Sequence, residues 1–306
     1  MEFAGRDVVS IKDFSRDEID YVLKMTDSVE PMARKGSHTL DGKIMATLFF
    51  EPSTRTRLSF ESAMYRSGGN CVGFAEPKVA SVQKGENLAD TVRVVESYAD
   101  VLVIRHPLEG AARLAAEFAS VPVINAGTGA EEHPTQAMLD LYTIRKELGK
   151  IDGLNIALAG DLRYGRTVHS LAYALSLYDI NLYLVSPSLL RMRKEVLEEV
   201  NGRVKVHESE DLLKVMPHVD VIYMTRIQKE RFGSLEDYEK VRGSYRLTAG
   251  DLEQAKANTI VMHPLPRVDE IEYNVDSTPH AKYFQQVWYG LLVRMSLIGL
   301  VLGALK

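Results

Sequence analysis

Short apolar runs of strand length alternate along this chain with stretches whose apolar positions recur every three or four residues. The short runs predict strands at Ile44–Phe50, Val72–Phe74, Val101–Ile104, Val121–Asn125, Asn155–Ala159, Asn181–Val185, Val204–His207, Val219–Met224 and Thr259–Met262. The longer periods predict helices at Arg16–Glu30, Leu58–Ser67, Asn87–Tyr98, Gly110–Ser120, Pro134–Leu148, Thr167–Leu177, Leu189–Val200, Glu236–Val241 and Ala249–Ala257. Such alternation is the pattern of an α/β protein with mostly parallel, doubly wound sheets and helices on both faces. No internal repeat and no low-complexity segment interrupts it.

The C-terminal stretch from Gln285 to Lys306 reads differently, because it is mostly apolar. Trp288, Leu291, Leu292, Met295, Ile298 and Leu302 share one helical face, and Gly299 falls on that face, where a neighbour can pack close. Arg294 and Ser296 interrupt the run, and the apolar stretch after Ser296 is too short to span a bilayer. A buried terminal helix is therefore expected. At the other end, Met1–Asp7 carries Glu2, Arg6 and Asp7 and lacks the apolar core of a signal peptide.

Composition narrows the class. At about 150 residues per domain, 306 residues predict two domains. Apolar residues at 45% and charged residues at 26% argue against extended disorder. Lys and Arg number 37 against 42 Asp and Glu, so the formal net charge is −5 and no global field draws nucleic acid. The single cysteine, Cys71, excludes an internal disulfide framework and a cysteine-based zinc site, and points to the reducing cytoplasm. The clearest domain boundary lies near His133–Pro134, where a helix with Pro in its first turn and Gly149 at its end separates two strand series.

In open parallel sheets, ligands bind beyond the carboxyl ends of the strands. After the first predicted strand comes Glu51-Pro52-Ser53-Thr54-Arg55-Thr56-Arg57 and then a helix. Hydroxyls, backbone N–H groups and a guanidinium at a helix N-terminus suit an anion cradle; the alternative is a plain Ser/Thr helix cap with solvated arginines. It is not a glycine-rich nucleotide loop. Arg105, His133 and Gln136 sit at later strand ends of the same half. In the second half, Gly160-Asp161-Leu162-Arg163-Tyr164-Gly165-Arg166-Thr167, Thr225-Arg226-Ile227-Gln228-Lys229-Glu230 and His263-Pro264-Leu265-Pro266-Arg267 occupy the corresponding places. The strand ends thus present Arg, His, Gln and hydroxyls, with few free carboxylates. A cleft lined this way suits small, multiply anionic substrates.

These segments, with Val9-Ser10-Ile11, Arg105-His106-Pro107 and His133-Pro134-Thr135-Gln136, resemble the catalytic chains of the aspartate carbamoyltransferase family, within the aspartate/ornithine carbamoyltransferase superfamily. The resemblance covers nearly the whole chain. It implies a carbamoyl phosphate domain of residues 1–134 plus 286–306 and an aspartate domain of residues 135–285. Ser53, Thr54, Arg55, Thr56 and Arg105 would hold the phosphate of carbamoyl phosphate. Arg105, Thr56 and His133 would polarise its carbonyl oxygen. Gln136 and the carbonyls of Pro264 and Leu265 would hold the carbamoyl NH2 or the incoming amine. Arg166 and Arg226, with Gln228, would clamp the aspartate carboxylates, and Glu230 would orient Arg226. Ser81 and Lys84 resemble loop residues that enter the site of a neighbouring subunit in a homotrimer.

The implied reaction is carbamoyl transfer to aspartate in pyrimidine biosynthesis, by direct amine attack with oxyanion stabilisation. It needs no metal and no cofactor. A separate zinc-bearing regulatory chain is a partner that some family members have, and His106–Gly110 resembles the region that faces it. The alternatives are a carbamoyltransferase for another amino acid such as ornithine, and a non-catalytic anion-binding protein of the same fold. Arg166 and Arg226 suit a dicarboxylate rather than an ammonium tail. One departure stands out: Glu131 and Glu132 immediately precede His133. They would raise its pKa if close to it, and would leave it alone if they point to water.

Overall fold

The computed structural model describes residues 1–75, 85–229 and 232–306. The chain divides into two compact units: unit 1 is Met1–Leu139 with Trp288–Lys306, and unit 2 is Asp140–Val287.

Unit 1 is built on four parallel strands, β1 (Ile44–Phe49), β2 (Asn70–Phe74), β3 (Val101–His106) and β4 (Val123–Thr128), in the order β2-β1-β3-β4. Its helices are α1 (Arg16–Lys35), α2 (Thr54–Arg66), α3 (Leu88–Val95) and α4 (Ala111–Phe118), and α5 (Pro134–Leu148) begins in it. Val8 bridges in parallel to Ile124, so the N-terminal segment lies along the outer edge of β4. One core packs Ala46, Leu48, Leu102, Ile104 and Val123 of the strands against Val92 and Ala115 of the helices.

Unit 2 has five parallel strands, β5 (Asn155–Ala159), β6 (Asn181–Val185), β7 (Lys205–Ser209), β8 (Val221–Met224) and β9 (Ile260–Met262), in the order β7-β6-β5-β8-β9. Its helices are α6 (Arg166–Leu175), α7 (Lys194–Val200), α8 (Leu212–Val215) and α9 (Leu235–Val241). The last helix, α10 (Tyr283–Val301), starts in unit 2 and ends in unit 1. In each sheet the strand order reverses once, an arrangement in which the crossovers on either side of that point put helices on both faces.

Several elements differ from their sequence signals. The helix expected over Arg16–Glu30 carries Pro31 inside it and runs on to Lys35, with Val29 and Ala33 still facing the core. A capping box between Ser15 and Glu18 opens it. The helix expected to begin at Leu58 begins at Thr54, so Thr54–Arg57 is its first turn rather than a loop before it. The expected helix Ala249–Ala257 is only a 3₁₀ turn, Asp251–Gln254. There Thr248 and Asp251 bond each other reciprocally, backbone to side chain, which serves a turn as well as a helix start.

The apolar window of α10 is long enough to cross a membrane by composition, yet 72% of it is buried inside the protein. Its unit 1 half explains why. Arg294 donates to Ser59 Oγ at 2.9 Å and stacks on Phe60, and Arg34 stacks on Trp288. Gly299 accepts the return of the tail: a Cβ there would stand 2.6 Å from Leu305 Cδ1.

Candidate active site

In unit 1 the order reverses between β1 and β3, so the connections leaving these strands diverge and open a crevice at their carboxyl ends. The segment after β1 lies on one side of it. Ser53 is the N-cap of α2, and its side chain makes no capping bond. Ser15, Asn87, Asp211 and Ser234 all use theirs as caps at other helices. The first turn of α2 holds no acidic residue. Thr54 and Arg55 are exposed and Thr56 is buried. Arg57 turns along the helix to Glu61 at 2.7 Å.

Arg105 lies on the other side, within β3 and paired with Phe49 of β1. Its side chain is mostly buried. Nη1 donates to the carbonyl of Ala126 at 3.2 Å, and Nη2 stands 3.6 Å from Glu51 Oε2. The guanidinium is thus braced from β4 and from the β1 exit. His133 is buried directly before α5, and its carbonyl accepts from Gln136 and Ala137 N–H. Gln136 is buried in the first turn.

Glu132 does not point to water. It is buried, and Ser10 Oγ donates to its Oε1 at 2.6 Å. Its backbone carbonyl accepts from Thr128 N–H. Glu131 is exposed, and its Oε2 accepts from Gly110 N–H at 3.1 Å. Both carboxylates therefore brace the turn that delivers His133.

In unit 2 the order reverses between β5 and β8. Arg166, the first residue of α6, follows β5; Arg226 and Gln228 follow β8, and all three are half-buried. The two exits are tied together. Gly160 has φ +112°, and a Cβ there would lie 2.3 Å from the Thr225 carbonyl, so only glycine lets the strands meet. Asp161, fully buried, donates its N–H to Thr225 Oγ1 at 2.9 Å. Its carboxylate accepts from Tyr164 N–H at 2.9 Å and Gln228 N–H at 3.3 Å. Burial pushes the Asp161 carboxyl up, against these donors and the charge of Arg226. Gln228 Nε2 also donates to the Tyr164 carbonyl.

The segment after β9 is the third strand end of unit 2. Leu265 has φ +53°, a left-handed conformation that costs a non-glycine residue about 1–2 kcal/mol, and the Leu265–Pro266 peptide is cis. Leu265 N–H donates to His263 Nδ1 at 2.7 Å, so the proton of this imidazole sits on Nε2, which donates to Glu270 Oε1 at 2.6 Å. Burial pushes His263 down and keeps it neutral. Burial alone would raise Glu270, but the bond from His263 holds it below the usual carboxylate range.

Ser81, Lys84 and Glu230 lie outside the described residues. Of the other expected residues, Ser53–Thr56, Arg105, His133 and Gln136 stand at strand ends of unit 1, and Arg166, Arg226, Gln228, Pro264 and Leu265 at strand ends of unit 2. Sequence reasoning missed the braces: Glu51, Asp161, Glu270 and the Ser10–Glu132 pair. Only Asp161 carried a local signal, an Asp following Gly at a strand exit.

The fold and these strand ends define a two-domain α/β protein whose fixed donors are arranged for small anions. Comparison with known proteins gives this class a family. The model of the aspartate/ornithine carbamoyltransferase carbamoyl-P binding domain matches residues 6–146, and that of the Asp/Orn binding domain matches residues 152–301. The aspartate carbamoyltransferase catalytic subunit of Thermococcus gammatolerans is 61% identical, and that of Thermococcus onnurineus 59%, each over the whole of both chains. The catalytic subunit of M. jannaschii aspartate transcarbamoylase superposes with a TM-score of 0.89 at 51% identity, covering 96% of each chain. Aspartate transcarbamoylase from Trypanosoma cruzi in complex with carbamoyl phosphate and aspartate superposes with a TM-score of 0.94 at 43% identity, covering 98% of each chain. The chain belongs to the aspartate/ornithine carbamoyltransferase family, in its branch of aspartate carbamoyltransferase catalytic subunits.

Proposed function

We infer that this enzyme transfers the carbamoyl group of carbamoyl phosphate to the amine of L-aspartate, giving N-carbamoyl-L-aspartate and phosphate. This is an early step of pyrimidine biosynthesis. The observation that carries the reading is the placement of donors at both topological switch points: a Ser53 N-cap whose side chain makes no capping bond and a braced Arg105 in unit 1, and Arg166 and Arg226 on strand exits joined through Asp161 in unit 2.

Ser53, Thr54, Arg55, Thr56 and Arg105 take the phosphate, where the N–H groups of the first α2 turn add to the guanidinium charge. Arg166 and Arg226 take the two aspartate carboxylates, a task for planar bidentate donors rather than lysine. The neutral amine attacks the carbonyl carbon. A C–N bond forms, and the carbonyl oxygen becomes an oxyanion held by Arg105, Thr56 and His133. The oxyanion collapses, the C–O bond to phosphate breaks, and the amine proton leaves with the phosphate. Gln136 and the carbonyls of Pro264 and Leu265 hold the NH2 groups. The work is positioning and fixed dipoles.

The working unit is a homotrimer in the cytoplasm, with Ser81 and Lys84 lent to a neighbouring subunit's site. Support comes from unit 1, where β2 is a sheet edge and Leu58, Tyr65, Val72, Val94 and Tyr98 are exposed. A zinc-bearing regulatory chain is a further partner, facing His106–Gly110. The test is aspartate-dependent phosphate release from carbamoyl phosphate, followed while the native mass is measured. Turnover with ornithine but not aspartate refutes the reaction, and a fully active monomer refutes the shared site.

A further inference from the structure

Most donors at the strand ends of both units are side chains, but the segment after β9 takes part through backbone carbonyls. A carbonyl has no rotamer to choose. Its direction follows from the φ and ψ of its own segment, so aiming it means fixing the chain. Leu265 is, among the described residues, the non-glycine residue with positive φ. A conformation of that kind persists only where its surroundings over-determine it.

The surroundings are a buried chain of hydrogen bonds. His263 sits at its centre and bonds through its backbone N–H and both ring nitrogens. Its N–H donates to Gln286 Oε1 at 3.0 Å, its Nδ1 accepts from Leu265 N–H, and its Nε2 donates to Glu270. Glu270 Oε2 accepts in turn from Val268 and Asp269 N–H, both at 3.1 Å, which closes the far end of the loop. Gln286 Nε2 donates to Asp140 Oδ1 at 2.6 Å. His263, Glu270, Gln286 and Asp140 are all buried. The loop is thereby held at both ends and in the middle, and its frame is rooted in α5 and α10.

We propose that His263, Glu270 and Gln286 are positioning residues that aim the carbonyls of Pro264 and Leu265 at the carbamoyl NH2 and the incoming amine. This rests on the carbamoyl transfer reading. None of the three touches substrate. They act by denying the loop any other conformation while the carbonyls accept hydrogen bonds. The frame belongs to the amine side of the reaction alone, because phosphate is held by the donors of unit 1.

Two substitutions at one position separate the roles of the imidazole. In His263→Asn the side-chain oxygen replaces Nδ1 and keeps the bond from Leu265 N–H. In His263→Gln the amide replaces Nε2, keeps Glu270 and abandons Leu265. Full-length enzyme is assayed for aspartate-dependent phosphate release, with inorganic phosphate as product inhibitor and the melting temperature recorded. His263→Gln is expected to lose about 10²-fold in kcat and to raise the aspartate KM, the cost of a misplaced group. His263→Asn stays within about tenfold of wild type, and phosphate inhibition is unchanged in both. Wild-type enzyme without aspartate-dependent release overturns the reaction itself. Wild-type turnover with equal kcat in the two variants, or equal losses tracking the melting temperature, overturns the positioning role alone. Should His263→Gln not fold, Gln286→Leu leaves the imidazole in place: a kcat loss of about tenfold with unchanged phosphate inhibition supports the frame, and unchanged kcat overturns it.

Discussion

Removing Ser10 Oγ or the Glu132 carboxylate cuts the buried strut behind His133. The bond is short, 2.6 Å, and fully inside unit 1. Ser10 Oγ also accepts from Lys12 N–H at 3.1 Å, so the hydroxyl links the N-terminal turn to the Thr128–Glu132 turn. A hydrogen bond to a charged group contributes about 1.5–3 kcal/mol, and the partner left behind keeps its desolvation cost. Unit 1 holds about 160 residues, for which 1 kcal/mol moves the melting temperature by about 3 °C. Ser10→Ala and Glu132→Ala should each lower the unit 1 transition by about 5–9 °C in calorimetry. Glu132→Gln, which keeps Oε1, should cost much less. The double variant Ser10→Ala/Glu132→Ala should melt close to the worse single variant. Because the strut sets the turn before α5, kcat should fall with stability while the aspartate KM holds. Additive losses in the double variant, within about 0.5 kcal/mol, would refute the strut.

Three further outcomes rest on the same geometry. Asp161→Asn keeps an acceptor for Tyr164 N–H but faces Gln228 N–H with a donor, leaving a buried group unmet at a cost of about 1–3 kcal/mol; the aspartate KM should rise at least tenfold, about the factor that 1.4 kcal/mol represents, while phosphate inhibition stays fixed, and an unchanged KM contradicts the coupling. Gly160→Ala sets a Cβ 2.3 Å from the Thr225 carbonyl at φ +112°, so it should destabilise unit 2 by more than about 1 kcal/mol in urea titration, whereas a neutral result means β5 and β8 separate freely. Burial holds His263 below its ordinary value in the folded protein, against Glu270 and with Arg267 and Arg226 adding to it, so only the unfolded chain takes up that proton as pH falls below about 6.5. Stability is thus present above about pH 6.5 and lost as pH drops through the folded value, Glu270 adding the same sign nearer pH 4; melting temperatures should decline from about pH 7.5 to 5, and a decline undiminished in His263→Gln assigns it elsewhere.

The order of strands and longer helices was readable because each buried parallel strand is a short apolar run and each longer helix a period, whereas the four residues of α8 are too few to carry one. Ends were harder. Thr54–Arg57 looks like a loop because its hydroxyls and arginines carry no apolar period, yet it is the first turn of α2. The helix expected to end at Glu30 continues past Pro31, with Ala33 buried in the core. At the site, residues whose chemistry is strand-end chemistry were readable from position alone, as with Arg105 and Arg226. Their supports were not. Glu270 meets His263 across seven residues of irregular chain, and Ser10 meets Glu132 across the whole of unit 1. Nothing local marks either partner, since long-range pairing is a product of packing. For the same reason the sequence left open whether Glu132 points to water or to a partner.

Those hidden supports also account for the charge balance. The chain is acidic, yet its strand ends present cations. Most of the carboxylates that matter stand behind the donors rather than opposite the ligand. Glu51 lies behind Arg105, Glu61 beside Arg57, and Asp161 near Arg226. Each pairing cancels much of the positive field that a bare guanidinium would project. Attraction at a distance is therefore weak, and selectivity has to come from contact. That is the arrangement an oxyanion reaction rewards. A donor already held by a carboxylate, a backbone carbonyl and a neighbouring strand needs no reorganisation when charge develops on the substrate. Arg105 meets all three conditions, and its bracing therefore matters to the reaction as much as its charge.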